Sequence, residues 1–149
     1  MSTLADARVV KECSSRLERL TPHAPRSWGR MTAHQMICHL SDSFSGAMGE
    51  MPVSPAPGPL PRKLMKWFGL HTPMRWPRNL KTRPEVEQGL GGTPPGDWLE
   101  DLSRLRQLIA VFPQQRNFAP HPIFGPMSWS EWQIWGYRHV DHHLRQFGV

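Results

Sequence analysis

A chain of 149 residues suffices for one domain that buries roughly 70% of its unfolded surface, and no stretch approaches the ~18 uninterrupted apolar residues of a membrane span. The start, Met1-Ser2-Thr3-Leu4-Ala5-Asp6, has neither the basic flank nor the apolar core of a signal peptide. Two cysteines, Cys13 and Cys38, are too few for a disulfide framework, so reduced thiols and a cytoplasmic location are expected. The formal charge of +6 predicts a surface that attracts anions, and seven of the 18 Lys and Arg fall between Arg62 and Arg83.

Val9, Cys13, Leu17 and Leu20 recur at helical spacing, which predicts a first helix from about Thr3 to Leu20, stopped by Thr21-Pro22. Thr32 followed by Gln35 is a capping box, in which the threonine oxygen accepts a backbone N–H and the glutamine reaches back. Met36, His39, Leu40 and Ser43 then share one face of a second helix reaching about Met48. From Pro52 to Pro61 the prolines remove the donors a helix needs. A short helix over Arg62–Leu70 follows, and then loop through Arg75–Arg78 and Gly91–Gly96. An irregular connection this long is more often functional than idle.

Asp97 with Glu100 reads as a second capping box, ahead of the stripe Trp98, Leu102, Leu105, Ile109 and Phe112 and the stop at Pro113. Ser128 with Glu131 reads as a third, ahead of Trp132, Trp135, Gly136, His139, His143 and Phe147 at spacings of three and four. Gly148 is placed to cap the last helix in the left-handed conformation. With no alternating strand pattern, no glycine-rich phosphate loop and no internal repeat, the expectation is an all-α four-helix bundle over residues 1–149.

His139 and His143 are the most informative pair. Four residues apart on a helix, their Cβ atoms lie about 5–6 Å from each other, a separation that lets both rings bind one divalent ion. They stand on a face otherwise made of Trp and Phe, where two buried imidazoles without partners would each cost on the order of 1–3 kcal/mol. The run Met31–Leu40 puts a further histidine on the inner face of an earlier helix. Three neutral imidazoles would leave coordination positions open, as catalytic rather than structural sites do.

The segment His121-Pro122-Ile123-Phe124-Gly125, then Trp132, then His139 through Gly148 resembles the C-terminal signature of a branch of the DinB/YfiT-like superfamily. Met31-Thr32-Ala33-His34-Gln35-Met36-Ile37-Cys38-His39-Leu40-Ser41-Asp42 resembles its second-helix signature. The resemblance implies an up-down-down-up bundle with a long proline-rich crossover between the second and third long helices. It also implies a divalent metal held by His39, His139 and His143. Activities in that superfamily include transfers that use a low-molecular-weight thiol. The expected function is therefore metal-dependent transfer with a thiol cosubstrate, against two alternatives: a non-catalytic metal-binding or interaction protein, and a metal-dependent hydrolase.

The metal's identity is open, since imidazole suits zinc, nickel and iron alike. His121 is a candidate fourth ligand, or a catalytic or substrate-orienting group, or else a cap of its loop. Arg75 and Arg78 are expected to hold an acidic cosubstrate. His142, about 100° around the helix from His143, should face away from the ion. Asp42 and Asp141 could orient ligand imidazoles or be solvated charges, and Cys38 reads as a small core residue. A small-molecule substrate is the expected partner and a homodimer is compatible; nucleic acid is disfavoured because no recognised module accompanies the basic segment, and no membrane partner is expected.

Overall fold

A computed structural model describes residues 1–57 and 61–149, so Gly58, Pro59 and Leu60 of the proline run lie outside the described residues. Among these there is no β-strand; five α-helices, α1 (Ala7–Glu18), α2 (Ala33–Ala47), α3 (Arg62–His71), α4 (Trp98–Val111) and α5 (Trp129–Gln146), are joined by loops and two short 3-10 turns. The helix starts follow their local chemistry. Thr32 and Gln35 close a reciprocal capping box on α2, as Ser128 and Glu131 do on α5. Asp97 caps α4 from one side only, accepting from the N–H groups of Leu99 and Glu100, with no return bond from Glu100. The first helix begins later than its apolar spacing suggests, because Asp6 caps it and Thr3–Asp6 forms a turn.

The end of α5 is a Schellman motif. Gly148 has φ +74°, its N–H bonds Arg145 O, and Val149 N–H bonds Leu144 O, which satisfies two terminal carbonyls. The fixed ends of α2 and α5 determine which way their side chains face.

Helices α2 and α4 pack together, α1 lies against α4 and α5, and α3 packs on α5. The shared core contains Leu17, Met36, Leu40, Leu105, Ile109 and Leu144, all fully buried or nearly so. At one end Phe44, Phe112, Trp132 and Trp135 interlock with ring centroids 4.7–6.4 Å apart. Gly136 is required there: a Cβ at that position would stand 2.6 Å from Leu4 Cδ1.

Among the described residues the connection from α2 to α4 is irregular apart from α3 and the 3-10 turn Pro84–Val86, yet it is tied down. Asp42, 1% exposed, accepts from both the N–H and the hydroxyl of Thr93 at 2.7 Å. It therefore anchors this connection instead of orienting a histidine or meeting solvent. Asp141 likewise pairs with Arg16 at 2.9 Å and Arg145 at 2.7 Å.

Candidate metal centre

The two capping boxes set the registers that bring three histidines together. Counting from Thr32, the seventh residue is His39, on the face of α2 turned to α5; His139 and His143 lie one turn apart on the facing side of α5. The three ring centroids are 5.4 Å (His39–His139), 5.0 Å (His39–His143) and 5.0 Å (His139–His143) apart. One ring nitrogen from each comes within 4.8 Å of the others. His39 and His143 are buried, at 4% and 8% exposure.

The hydrogen bonds decide the tautomers of two of the rings. His39 Nδ1 lies 2.9 Å from Val86 O, and since a carbonyl only accepts, Nδ1 carries the proton and Nε2 the lone pair. His143 Nδ1 lies 3.0 Å from Gln146 Oε1. The other end of that amide donates to Trp28 O at 2.7 Å, which fixes its orientation, so His143 also carries its proton on Nδ1. Neither Nε2 has a hydrogen-bond partner among the described residues.

The third ring is less well provided for. His139 Nδ1 is one of the few buried side-chain polar atoms without a partner among the described residues. An unpaired buried polar group costs on the order of 1–3 kcal/mol. Burial pushes all three imidazoles below their ordinary pKa, the bases staying neutral, and at His139 the neighbouring His143 and His39 push the same way.

This donor set fits a divalent cation. Metal–nitrogen bonds of about 2.0–2.1 Å place two ligands of one ion roughly 3–4 Å apart, within a small ring rotation of the present spread. A carbonyl and an amide oxygen already hold the outer nitrogens of two rings, which is how ligand histidines are normally oriented. Three imidazoles would leave coordination positions open.

Aromatic side chains from two loops border the centre. Trp76 leans on His139 and His142 at 5.8 and 6.1 Å and is held by a 2.7 Å bond from its indole N–H to Gly69 O. Trp28 meets His142 edge-on at 5.8 Å. His142 is thus clasped between two indoles, outside the group of converging ligand atoms.

His121 does not join the cluster. Its Nδ1 accepts from Ile123 N–H and Phe124 N–H, both at 3.1 Å, so the proton sits on Nε2. The ring stacks on Phe124 at 4.4 Å and meets Trp135 at 5.7 Å, and Trp135 in turn meets His139 at 4.9 Å. Burial pulls the His121 pKa down to about 3. It caps its turn as a neutral ring whose one lone pair is already used.

The two arginines separate. Arg75 lines a cleft of about 220 Å³ with Met74, Arg138, Asp141 and Arg145. Arg78 instead lies over the Trp28 ring, 4.5 Å from its centroid. Sequence reasoning missed Gln146, Val86 O, Trp28 and Trp76. Only Gln146 had a local signal, three residues after His143.

A second group, His34, Cys38 and Asp101, also converges between α2 and α4. It differs in one respect. Asp101 Oδ2 accepts from His34 Nε2 at 2.7 Å, Gly96 N–H at 2.9 Å and the Cys38 thiol at 3.6 Å. Burial and the Asp101 charge push the Cys38 thiol up to about 12, so it stays protonated. These groups satisfy one another and act as a polar tie between two helices, whereas the three-histidine group leaves its lone pairs unused.

No curated protein and no solved structure matches the chain. A family model described as "Protein of unknown function (DUF1569)" matches residues 8–148, nearly the whole length, and the chain belongs to that DUF1569 family.

Proposed function

We propose that this protein is a divalent-metal-dependent transferase of DinB/YfiT-like type, with the up-down-down-up helix order of that superfamily and a low-molecular-weight thiol as cosubstrate. The observation that carries the metal reading is the protonation pattern: two buried rings hold their Nδ1 protons on fixed oxygens and turn free Nε2 lone pairs out beside a third, unpartnered imidazole. His39, His139 and His143 would hold the ion. A bound divalent cation supplies a lowered pKa for a thiol or water at its open position, and so a nucleophile near neutral pH.

The surrounding residues bind and orient. Arg75, exposed and beside Arg138 and Arg145, offers a planar donor pair to a carboxylate of the cosubstrate, and Arg78 guards the Trp28 side. His121 can give a hydrogen bond through Nε2–H but cannot take a proton, because Nδ1 is engaged by two backbone N–H groups. Its role is as a fixed neutral donor, not as a general base. Buried, unpaired Cys13 and Cys38 accord with a reducing cytoplasmic setting.

Elemental analysis of purified protein tests the metal: one ion per chain is expected, lost in His39→Ala and His143→Ala and kept in His142→Ala. A thiol screen then tests the reaction. Acidic thiols should outperform neutral ones, and Arg75→Glu with Arg78→Glu should raise the thiol KM without changing metal content. Unchanged metal in both ligand variants would refute the site, while a loaded protein inert to every thiol would refute the reaction. A second reading has one observation in its favour. The histidines come from α2 and α5, so an ion there would also tie two helices together, as in a non-catalytic metal protein or a hydrolase that uses water.

A further inference from the structure

The segment from α3 to Leu80 is rich in exposed apolar side chains. Of the ten large hydrophobic side chains most exposed among the described residues, five fall there: Leu64 (42%), Trp67 (53%), Phe68 (48%), Met74 (64%) and Leu80 (53%). Leu64, Trp67 and Phe68 are spaced i, i+3 and i+4, so they form one outward stripe on α3. The helix is anchored from its other side. Leu70 is buried, and Gly69 lies so close to Phe124 that a Cβ would stand 2.5 Å from its ring. The stripe is therefore a face left over once α3 has docked.

The charge along this segment is of one sign. Residues 62–83 contain seven Lys and Arg and no Asp or Glu. Of these Lys and Arg only Lys66 forms an ion pair among the described residues, with Glu131 at 3.0 Å, a carboxylate that also lies 3.6 Å from His71. Lys63, one turn before Trp67, and the exposed Arg62, Arg75 and Lys81 pair with no carboxylate among the described residues. An exposed apolar stripe that shares its helix with the unpaired cations Arg62 and Lys63 calls for an occupant that is anionic at its surface and apolar beneath.

Three occupants can be compared on that basis. A second copy of the chain would set these cations against the same cations, so self-association through this face is opposed. Single-stranded nucleic acid would satisfy the charge and would stack on exposed rings. Yet Leu64 offers no ring, and Trp67 and Phe68 meet each other edge to face at 5.0 Å. An anionic lipid surface matches every element: aliphatic and aromatic side chains enter the headgroup boundary while Lys and Arg stay among the phosphates.

We propose that the outward face of α3 forms a peripheral docking face for anionic lipid membranes. The missing span argued against a membrane partner, but a span is needed only for crossing; a helix lying in the interface needs one apolar face and basic flanks. No helix among the described residues is long and apolar enough to cross. Leu64, Trp67 and Phe68 supply the insertion, and the exposed Arg62 and Lys63 of the same helix the attraction.

Flotation of the full-length protein with vesicles tests this, using phosphatidylcholine alone and phosphatidylcholine doped with phosphatidylserine. Binding is expected only to the doped vesicles, with loss at high salt. Trp67→Ser with Phe68→Ser, and separately Arg62→Glu with Lys63→Glu, should each weaken it by at least about tenfold. Metal content and circular dichroism, unchanged in both, report that the fold is intact. Equal binding to neutral vesicles, no binding to anionic ones, or binding indifferent to both double variants would each overturn the proposal. A single-stranded oligonucleotide that binds this face and displaces the protein from vesicles would also overturn it, assigning the face to nucleic acid.

Discussion

Gln146 offers the sharpest single perturbation of the metal centre, because its two amide atoms serve different partners. Oε1 accepts the His143 Nδ1 proton at 3.0 Å, and Nε2 donates to Trp28 O at 2.7 Å. Gln146→Leu preserves volume and helix preference but leaves the His143 ring without its fixed oxygen. Loss of such an outer partner costs about 10–100-fold in metal affinity, which corresponds to about 1.4–2.7 kcal/mol. Without metal, the orphaned Trp28 carbonyl and His143 N–H should lower stability by about 1–3 kcal/mol, the low end being favoured because the Trp28 loop is near solvent. Gln146→Glu divides the two effects. It keeps an acceptor for His143 and loses the donor to Trp28, so zinc affinity should stay near that of the unaltered protein while urea stability falls. Competition against a chromophoric chelator measures the affinity, and circular dichroism the unfolding. Equal zinc affinity for Gln146→Leu and the unaltered protein would refute the idea that His143 binds through an Nε2 poised by this amide. So would an equal loss in Leu and Glu variants.

Two further outcomes concern the polar groups beside the centre. His121→Phe should leave metal content unchanged and cost about 1–3 kcal/mol, since the Ile123 and Phe124 N–H groups lose their acceptor. The neutral native ring, with its pKa near 3, favours folding fully above the unfolded value of about 6.5, and this contribution fades as pH falls toward 3. In urea titrations the variant's stability should therefore fall less steeply with acid, by up to about 1.4 kcal/mol per pH unit, and identical slopes would refute the neutral-ring assignment. Asp101→Asn should destabilise at neutral pH by about 1–3 kcal/mol. Burial alone would raise the Asp101 pKa, but bonds from Gly96 N–H, His34 and Cys38 outweigh it and hold it below the ordinary range. Its contribution is thus complete above the unfolded value of about 3.9 and disappears below the folded one, so the two proteins should converge in strong acid. A stability gap that persists there would show that Asp101 acts through packing.

Much of the helical frame was legible in the sequence because its signals are local. The boxes at Thr32 and Ser128, the stop at Pro113 and the glycine at 148 each rest on contacts within one or two turns. Asp97 misled by half: Ser, Thr or Asp followed three residues later by Glu or Gln permits a capping box, but Glu100 is exposed and makes no return bond. The convergence of His39 with His139 and His143 was open to inference from helix faces, since each lies on a face otherwise apolar. The outer partner of His39 was not. Val86 O is a backbone atom 47 residues away, held by a short turn that carries no side-chain signature. Asp42 and Asp141 were ambiguous for the same reason, because a carboxylate near a histidine in sequence gives no hint of Thr93 or Arg16.

The two polar clusters between the helices show what distinguishes a site from a tie. Both draw groups from two helices, and both sit near the core. At Asp101 one carboxylate oxygen takes three donors, so the cluster is complete on folding and a further ligand could enter only by breaking bonds. At the histidines, folding draws the rings together and holds two of them through their Nδ1 protons, while no hydrogen bond among the described residues engages the Nε2 atoms of these two or Nδ1 of His139. Desolvated lone pairs left in that state favour any cation that can collect them, and register maintains the arrangement. A shift of one residue in either capping box would turn its helix by about 100° and carry the ligands off the shared face. The capping residues far from the centre are therefore as necessary to it as the histidines themselves.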